Sequence, residues 1–359
     1  MMNSVLLLVS ALAILAPNDG AVVPTQRDGQ KAYLSSPRAA RFVRMDNAAD
    51  RAKLLACGSR QLPLRLEWSG ETNAVFSLSV AAEGEADETF VLTNRTTAYL
   101  TNLEVDRAYR WTVRRLDSED CASASFRTEP DAPRFLRADG VGNFRDLGGW
   151  RTSDGRMVRQ NRIFRSAGLR ASSKIEGGFF RKKVRLGNRR VTEAGLATLR
   201  DEFRIRTDLE LRTPQETAGM DGTLLGDNVQ WSCISFAAYD FVDNQVRGRE
   251  PFARLFRLFT KEENYPVLMH CSGGRDRTGT LAFLLNGLLG VSEEDLCRDW
   301  ESSVFSDAGM KFSSDRIQRL IDYLGSLPGD TLRDRVESYA KSCGITADEI
   351  AEFRSLMLK

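Results

Sequence analysis

The sequence predicts two domains: a small all-β sandwich followed by an α/β domain with a central sheet and a helical C-terminal half. The length of 359 residues suits about two domains. Apolar and polar residues alternate with a period of two between 62 and 128, as expected for half-buried strands. Beyond 131, strand-like and helix-like stretches alternate instead. Two prolines within 129–133 mark the boundary, so we place the sandwich at 61–130 and the α/β domain at 131–359.

The composition excludes several classes of protein. Hydrophobic residues make up 42% and charged residues 28%, which is ordinary for a soluble globular chain. With 51 Lys and Arg against 49 Asp and Glu, the net charge gives no reason to expect a nucleic-acid partner. There is one histidine and no closely spaced cysteine pair, so we predict no metal site and no cofactor.

The N-terminal run 5–16 is apolar and resembles the core of a secretory signal. No Lys or Arg precedes it, but Ala11, Ala13 and Ala16 offer cleavage positions. We predict a signal peptide at 1–21 and a secreted or periplasmic location. The run is too short to cross a bilayer, so no stable membrane span is expected. The alternative is a buried N-terminal helix or strand.

Residues 22–60 are polar and mixed, and we interpret them as a linker with at most a short helix starting at Ser36-Pro37. Cys57 and Cys121 flank the predicted sandwich and would be able to pair in an exported protein. Sequence alone does not fix that pairing. The remaining non-loop cysteines are expected to be buried apolar fillers; they are Cys233, Cys297 and Cys343.

Within 61–130, alternating strands are expected at 64–68, 76–80 and 109–113, separated by polar turn clusters. The run 99–103 followed by Tyr109 resembles the late strands of a fibronectin type III domain, and Trp68 fits its core tryptophan. This resemblance implies a binding or spacer module without chemistry of its own. Its partner would be a protein or a glycan.

The α/β domain is expected to contain strands at 204–211 and 265–270. Helices are expected at 192–203, 280–289, 292–305, 314–324, 332–341 and 347–357. The last of these has the clearest start signal, because Thr346 and Glu349 have the spacing of a capping box.

One segment of this domain carries the chemistry. An apolar run enters Cys271, five residues separate it from Arg277, and a helix-like run follows at 281–285. A strand, a glycine-rich loop and a helix N-terminus together form an anion-binding site. We therefore expect the Cys271 thiol to be partly ionised at neutral pH. The planar fork of Arg277 matches two phosphate oxygens, so the pattern indicates phosphate-ester cleavage through a cysteinyl-phosphate.

The string His270-Cys271, five residues, then Arg-Thr-Gly resembles the signature of the protein tyrosine phosphatase superfamily. The stretches 142–149 and 165–167, together with Asp208 and Arg212, resemble its atypical bacterial and fungal tyrosine/serine phosphatases. The resemblance extends over about 132–359.

This resemblance implies a role for each residue of the string. Cys271 is the nucleophile, Arg277 holds the phosphate, and Thr278 donates its hydroxyl to the thiolate when the intermediate is hydrolysed. His270 orients the loop. The substrate-binding positions are Ser272, Gly273, Gly274 and Arg275, whose backbone N–H groups line the phosphate site. Bracing of the loop is expected from Asn143, Arg145, Asp146, Arg165 and Asp208.

The general acid is left open between two positions. In the atypical family the Asp inside the loop has this role, which favours Asp276 here. The wider superfamily uses an Asp some thirty residues upstream, and Asp240 and Asp243 fit that placement.

Two basic features have open interpretations. Arg275 stands where the family usually has Lys, and it could clamp a second phosphate or be a solvated residue at the lip of the site. A basic cluster at 170–190 includes Phe179 and Phe180; it is a solvated loop or, alternatively, a lid or membrane-surface contact.

The leading hypothesis is a cysteine-dependent phosphatase that hydrolyses phosphotyrosine-type monoesters. A phosphoinositide or inositol polyphosphate substrate is the close alternative, and phosphorylated proteins or those small molecules are the expected partners. A catalytically silent phosphate-binding or adhesion protein, or a sulfur transferase, is less consistent with the Arg-Thr-Gly continuation.

Overall fold

The computed structural model describes residues 12–40, 48–71, 74–86, 88–176, 183–237, 245–306 and 315–359. The chain divides into two units. The first unit runs to Gln26 and resumes at Gln61–Asp131, and the second comprises Arg27–Arg60 and Ala132–Lys359.

The first unit is built from eight described strands. They are β1 (Ile14–Ala16), β2 (Ala21–Val23), β3 (Leu64–Trp68), β4 (Val75–Ala82), β5 (Glu88–Thr93), β6 (Thr97–Leu100), β7 (Ala108–Arg115) and β8 (Cys121–Thr128). They form a three-stranded sheet, β1-β3-β6, and a five-stranded sheet, β2-β8-β7-β4-β5. Only the β2–β8 pair among these is parallel.

The period-two alternation produces the core of this unit. Tyr109, Trp111 and Val113 on β7 are buried, whereas Arg110 is exposed and Thr112 half-buried. Trp68 of the three-stranded sheet lies 5.7 Å from Phe76 and 6.4 Å from Trp111 of the other sheet, measured between ring centroids. The two sheets therefore share one apolar cluster, and the strands predicted at 64–68 and 109–113 are present.

The segment expected to be a signal and a linker has a different structure. Most of the apolar run lies outside the described residues, but Ile14–Ala16 forms β1 and pairs with β3. The interval 22–60 holds α1 (Asp28–Leu34), α2 (Pro37–Ala40) and α3 (Ala48–Cys57), all within the second unit. The linker interpretation is therefore corrected. These helices fold with the second unit because Tyr33 and Leu34 lie in one apolar cluster with Phe135 and Phe305.

The cysteines also differ from expectation. All six are free thiols, so the pairing of Cys57 with Cys121 is absent. Cys57 instead donates from its thiol to the Lys53 carbonyl within α3, and Cys121 is exposed at the start of β8. Cys297 is buried as expected, but Cys233 is exposed because it ends the edge strand of its sheet.

The second unit contains a five-stranded sheet in the order β14-β13-β15-β10-β9. Its strands are β9 (Arg145–Asp146), β10 (Ile163–Ala167), β13 (Thr207–Glu210), β14 (Gln230–Cys233) and β15 (Val267–Cys271). All neighbours are parallel except β9 and β10. Every residue of β10, β13 and β15 is buried, which is typical of parallel strands covered on both faces. A separate hairpin pairs β11 (Lys174–Glu176) with β12 (Lys183–Arg185).

The predicted helical C-terminal half is present. The helices are α4 (Glu193–Ala197, continued by a π-helical turn at Thr198–Glu202), α5 (Gln245–Leu258), α6 (Asp276–Leu289), α7 (Glu293–Glu301), α8 (Asp315–Gly325), α9 (Leu332–Ser342) and α10 (Ala347–Met357). The capping box of α10 forms as expected, because Glu349 N–H donates to Thr346 Oγ1 at 3.1 Å and Thr346 N–H to the Glu349 carboxylate at 2.8 Å.

Helix α6 is the centre of the second unit. Its residues from Thr278 to Leu289 are all buried, and Leu281, Leu284 and Leu288 belong to the main apolar cluster. An amphipathic helix packs on one face only, but α6 is mostly apolar and is buried on all sides after its first two residues. Its N-terminus is therefore fixed in position, and this is where the candidate site lies.

Candidate active site

The candidate site is the connection between β15 and α6. Strand β15 ends at Cys271 and α6 begins at Asp276, so we call Cys271–Arg277 the cradle loop. Ligands of parallel sheets bind beyond the carboxyl ends of the strands, and β15 lies between β10 and β13 at the middle of its sheet. The N–H donors of the first turn of a helix also attract anions. Cys271, 3% exposed, thus lies where the field favours a negative charge.

Glycine is required at one position of the cradle loop. Gly274 has a φ of +69°, a conformation that side chains rarely adopt. A Cβ there would lie 2.3 Å from the carbonyl oxygen of Ser166, at the end of β10. This turn of the loop therefore has room for glycine and not for a residue with a Cβ.

Three side chains fix successive carbonyls of the loop to the surrounding body. Arg190 donates to the Ser272 carbonyl at 2.9 Å. Asn143 donates to the Gly273 carbonyl at 3.0 Å, and Arg165 to the Gly274 carbonyl at 2.8 Å. The bracing expected of Asn143 and Arg165 is thus direct.

A buried ion cluster supports these braces. The Asp299 carboxylate of α7 accepts from Arg145 at 3.0 Å and also from Arg165. Burial raises the pKa of Asp299, but the two guanidinium groups outweigh it and hold that pKa below its ordinary value. Burial and the nearby Arg165 lower the pKa of Arg145 to about 10. Sequence reasoning missed Asp299, although a charged residue three positions after Leu296 on the apolar face of a helix was a usable signal.

Arg277 is oriented by a carboxylate that the sequence reasoning also missed. Its guanidinium donates to both oxygens of Glu216, at 2.5 and 2.9 Å, and to Ser272 Oγ at 3.2 Å. The hydrogen bond from Arg277 lowers the pKa of Glu216 to about 2. Burial lowers the pKa of Arg277, but Glu216 and the neighbouring Cys271 sulfur raise it above its ordinary value. The signal in the sequence was Thr213-x-x-Glu216 directly after β13, which has the spacing of a capping box.

His270 lies against the acidic face of β13. Its Nε2 is 2.6 Å from Asp208 Oδ1, and its Nδ1 is 3.6 Å from Glu210 Oε2. Burial alone lowers the pKa of His270, but Glu210 and Asp208 outweigh it and raise that pKa to about 9. The imidazole is therefore protonated at neutral pH, one residue before Cys271. Its hydrogen bond goes to Asp208 rather than to the cradle loop, so its expected orienting effect acts through β13.

The remaining predicted residues fall in different environments. Thr278 is fully buried in the first turn of α6, and its hydroxyl has no hydrogen-bond partner among the described residues. Asp276 is exposed as the first residue of α6. Asp146 binds Arg134 at 2.8 Å and braces the start of the sheet. The alternative acids Asp240 and Asp243 lie outside the described residues.

Arg275 requires a correction. It is 4% exposed, and its guanidinium lies 5.9 Å from the ring centroid of Trp300. It is therefore neither a solvated residue at the lip nor an exposed clamp for a second phosphate. The reason is that Arg275 directly precedes α6, where its long side chain is covered by α7.

The basic cluster at 170–190 is partly a hairpin. Its described charged side chains on β11 and β12 are exposed, while Phe179 and Phe180 lie outside the described residues. The base of the hairpin contacts the site, because Ser172 Oγ is 3.0 Å from Ser272 Oγ. The described part of the chain contains no cluster of three or more metal-binding side chains. Its helices include none long and apolar enough to cross a membrane.

A cysteine at the end of a central parallel strand, followed by an arginine at a helix N-terminus, defines a site of the cysteine-phosphatase class. Residues 136–359 match the model of the Tyrosine phosphatase family, and the chain belongs to that family.

Two curated proteins are similar to this chain. The first, from Cupriavidus necator, carries a provisional tyrosine-protein phosphatase name and is 29% identical over 189 residues, 47% of this chain and 62% of that protein. The second is a tyrosine-protein phosphatase of Nostoc commune, 25% identical over 233 residues, 53% of this chain and 77% of that protein. The chain thus spans less than two thirds of the Cupriavidus relative.

A solved structure also matches. It is the core catalytic domain of the PP-IP phosphatase SIW14 from S. cerevisiae in complex with citrate, at 16% identity. The match covers 46% of this chain and 90% of that chain with a TM-score of 0.26, and a likeness of that degree supports no argument about this chain.

Proposed function

We propose that this protein is a cysteine-dependent phosphatase that hydrolyses phosphotyrosine-type monoesters. The observation that carries the proposal is the cradle loop, in which Cys271 ends β15 and Arg277 lies in the first turn of α6 with its guanidinium oriented by both oxygens of Glu216. A phosphate in the cradle loop would meet the first-turn donors of α6, the fork of Arg277 and the sulfur nucleophile.

The reaction follows from these groups. The Cys271 thiolate attacks phosphorus, the S–P bond forms, and the P–O bond to the leaving group breaks. Asp276 gives its proton to the departing oxygen. Asp276, now a carboxylate, then removes a proton from water, which attacks phosphorus and breaks the S–P bond. Phosphate is released, and the unpartnered Thr278 hydroxyl donates to the restored thiolate.

Phosphate release tests the proposal directly. We expect wild type to hydrolyse p-nitrophenyl phosphate and phosphotyrosyl peptides, and vanadate to block turnover. Cys271→Ser should abolish it, whereas Cys121→Ser removes an exposed thiol of the first unit and serves as the control. Turnover that survives in Cys271→Ser would overturn the cysteinyl-phosphate route, and absence of turnover in wild type would favour a phosphate-binding protein.

The acid assignment has its own test. We expect Asp276→Asn to lose about 10²–10⁴-fold in kcat on an ester with a poor leaving group and far less on an activated aryl phosphate. Asp240→Asn and Asp243→Asn, measured in parallel, should show no such contrast. If one of them shows it and Asp276→Asn does not, the acid lies upstream of the loop.

We further propose that the first unit is a fibronectin type III-like sandwich that binds a protein or glycan. The shared core of two sheets around Trp68 and Trp111 supports this, and Tyr99 is 65% exposed on β6. Screening immobilised glycans and proteins, with Tyr99→Ala beside wild type, tests it. Absence of any ligand would leave a spacer role.

Export to a secreted or periplasmic location is likewise a proposal, supported by the apolar run 5–16. The intact mass of the protein recovered from an exporting bacterium tests it. A mature N-terminus after Ala11, Ala13 or Ala16 supports export, and an uncut chain in the cytoplasm contradicts it.

A further inference from the structure

Arg190 is an exposed cation at the edge of the candidate site. One of its N–H groups donates to the carbonyl of Ser272, the residue that follows the nucleophile. Among the described residues it has no carboxylate partner, whereas its neighbour Arg189 pairs with Glu193 at 2.6 Å. Arginine carries five N–H donors in a planar fork, so the contact with Ser272 leaves the other edge of the fork available to an anion.

The position of Arg190 is fixed by the backbone. Its N–H donates to the Leu169 carbonyl at 2.9 Å, and the adjacent Arg189 bridges Arg170 across the base of the hairpin. On the other side its carbonyl packs against Gly140, where a Cβ would lie 2.2 Å away. The backbone of Arg190 is therefore anchored on two sides, and the hydrogen bond to the Ser272 carbonyl places its guanidinium at the loop.

Resting on the proposed function, we propose that Arg190 binds a second anionic group of the substrate while the scissile phosphate occupies the cradle loop. The substrate class is then a phosphomonoester with a second phosphate or carboxylate close to the first. The buried Arg275 cannot supply this contact, and among the described residues Arg190 is an exposed cation with a direct hydrogen bond to the residue that follows the nucleophile. Adjacent phosphates of an inositol phosphate and an acidic side chain beside a phosphotyrosine share this chemistry.

Relative turnover of singly and doubly anionic substrates tests the inference. The substrates are p-nitrophenyl phosphate, an inositol bisphosphate with adjacent phosphates, and phosphotyrosyl peptides with either an acidic or a neutral neighbour. We expect Arg190→Gln to lower kcat/KM for a doubly anionic substrate about tenfold more than for p-nitrophenyl phosphate, the low end for charge-assisted hydrogen bonds. The substrate that loses this factor identifies the source of the second anion.

Two further variants separate recognition from structure. Arg190→Lys keeps the charge and should restore part of the preference. Arg185→Gln removes an exposed arginine of the same hairpin that lies 3.9 Å from Glu176, and it should leave the preference unchanged. If Arg190→Gln lowers kcat/KM equally for all substrates, Arg190 only positions the Ser272 carbonyl and the inference is overturned.

Binding distinguishes failure of this inference from failure of the proposed function. Calorimetry with Cys271→Ser should show about tenfold weaker binding of the bisphosphate when Arg190→Gln is added. If wild type turns over no phosphate ester but this difference remains, the second-anion site stands and the enzymatic proposal falls. If turnover is normal and the difference is absent, the second-anion site is refuted alone.

Discussion

His270 is the one histidine of the sequence, so its titration can be followed without overlap. Because Glu210 and Asp208 outweigh burial and raise its pKa to about 9, we expect the imidazole resonance to titrate near pH 9 rather than near 6.5. A raised folded-state pKa gives stability that is fully present below pH 6.5 and is lost as the pH rises through 9.

NMR titration of the His270 ring proton measures the pKa. Thermal unfolding of wild type and His270→Gln between pH 6 and 10 measures the dependence of stability on pH. A midpoint below 7 would contradict the geometry.

Glu216 is a positioning residue that acts through Arg277. Replacing it with Gln removes the charge that pairs with the guanidinium. We expect kcat/KM for p-nitrophenyl phosphate to fall about 10–100-fold, by analogy with the loss of residues that orient the ligands of a metal. Glu193→Gln removes the comparable pair on Arg189 and serves as the control. Since its pKa is lowered to about 2, Glu216 stays ionised across the working range, so the loss should not depend on pH between 5 and 8. Recovery of Glu216→Gln at one end of that range would contradict a purely electrostatic role.

At the residue level, the site residues that lie in one short string could be predicted from the sequence, whereas contacts between distant positions could not. Cys271, Gly274 and Arg277 lie within one string whose spacing has a chemical meaning. Glu216 contacts that string from 61 positions away, and no pattern within a short window encodes such a contact. Burial of Arg275 was equally hidden, because it depends on the packing of α7 against α6.

At the scale of elements, long periodic segments were predicted and irregular ones were not. The capping box of α10 and the buried strand β15 have strong local signals. Helix α5 was missed because it contains Pro251, which ordinarily argues against a helix interior. The hairpin of β11 and β12 was interpreted as a loop, since three-residue strands with exposed charges lack a measurable alternation.

The turn from β15 into α6 gives a prediction at this scale. Gly274→Ala forces a positive φ on alanine and places its Cβ 2.3 Å from the Ser166 carbonyl, so both strain and a backbone clash result. We expect a loss of at least about 2 kcal/mol in stability together with most of the activity. Gly155→Ala is the matched control, because its φ is +85° but nothing lies within 4 Å of the added Cβ. It should cost about 1–2 kcal/mol and leave kcat intact. Equal effects of the two variants would show that the clash is unimportant.

At the scale of the whole molecule, chain order and spatial order differ. Residues 27–60 precede most strands of the first unit, yet they fold with the second unit. They were interpreted as a linker because polar and apolar residues are mixed along them. Their attachment depends on a handful of side chains, among them Tyr33, Leu34 and Ala39, which enter the cluster around Phe135 and Phe305. Composition alone cannot show that a segment folds with a unit whose other residues come later in the chain.

Tyr33 tests this attachment. Its hydroxyl donates to the Glu301 carboxylate at 2.7 Å, and both side chains are buried, with Glu301 at the end of the α7 helix that also carries Asp299. Tyr33→Phe removes a hydrogen bond to a buried carboxyl group, so we expect the second unit to lose about 1–3 kcal/mol of unfolding free energy. Tyr99→Phe alters a hydroxyl on a 65% exposed side chain of the first unit and should change stability by less than about 0.5 kcal/mol. Because a ligand stabilises the unit that binds it, the unfolding transition that vanadate raises identifies the second unit. If Tyr33→Phe left that transition in place, residues 27–60 would not be an integral part of the catalytic unit.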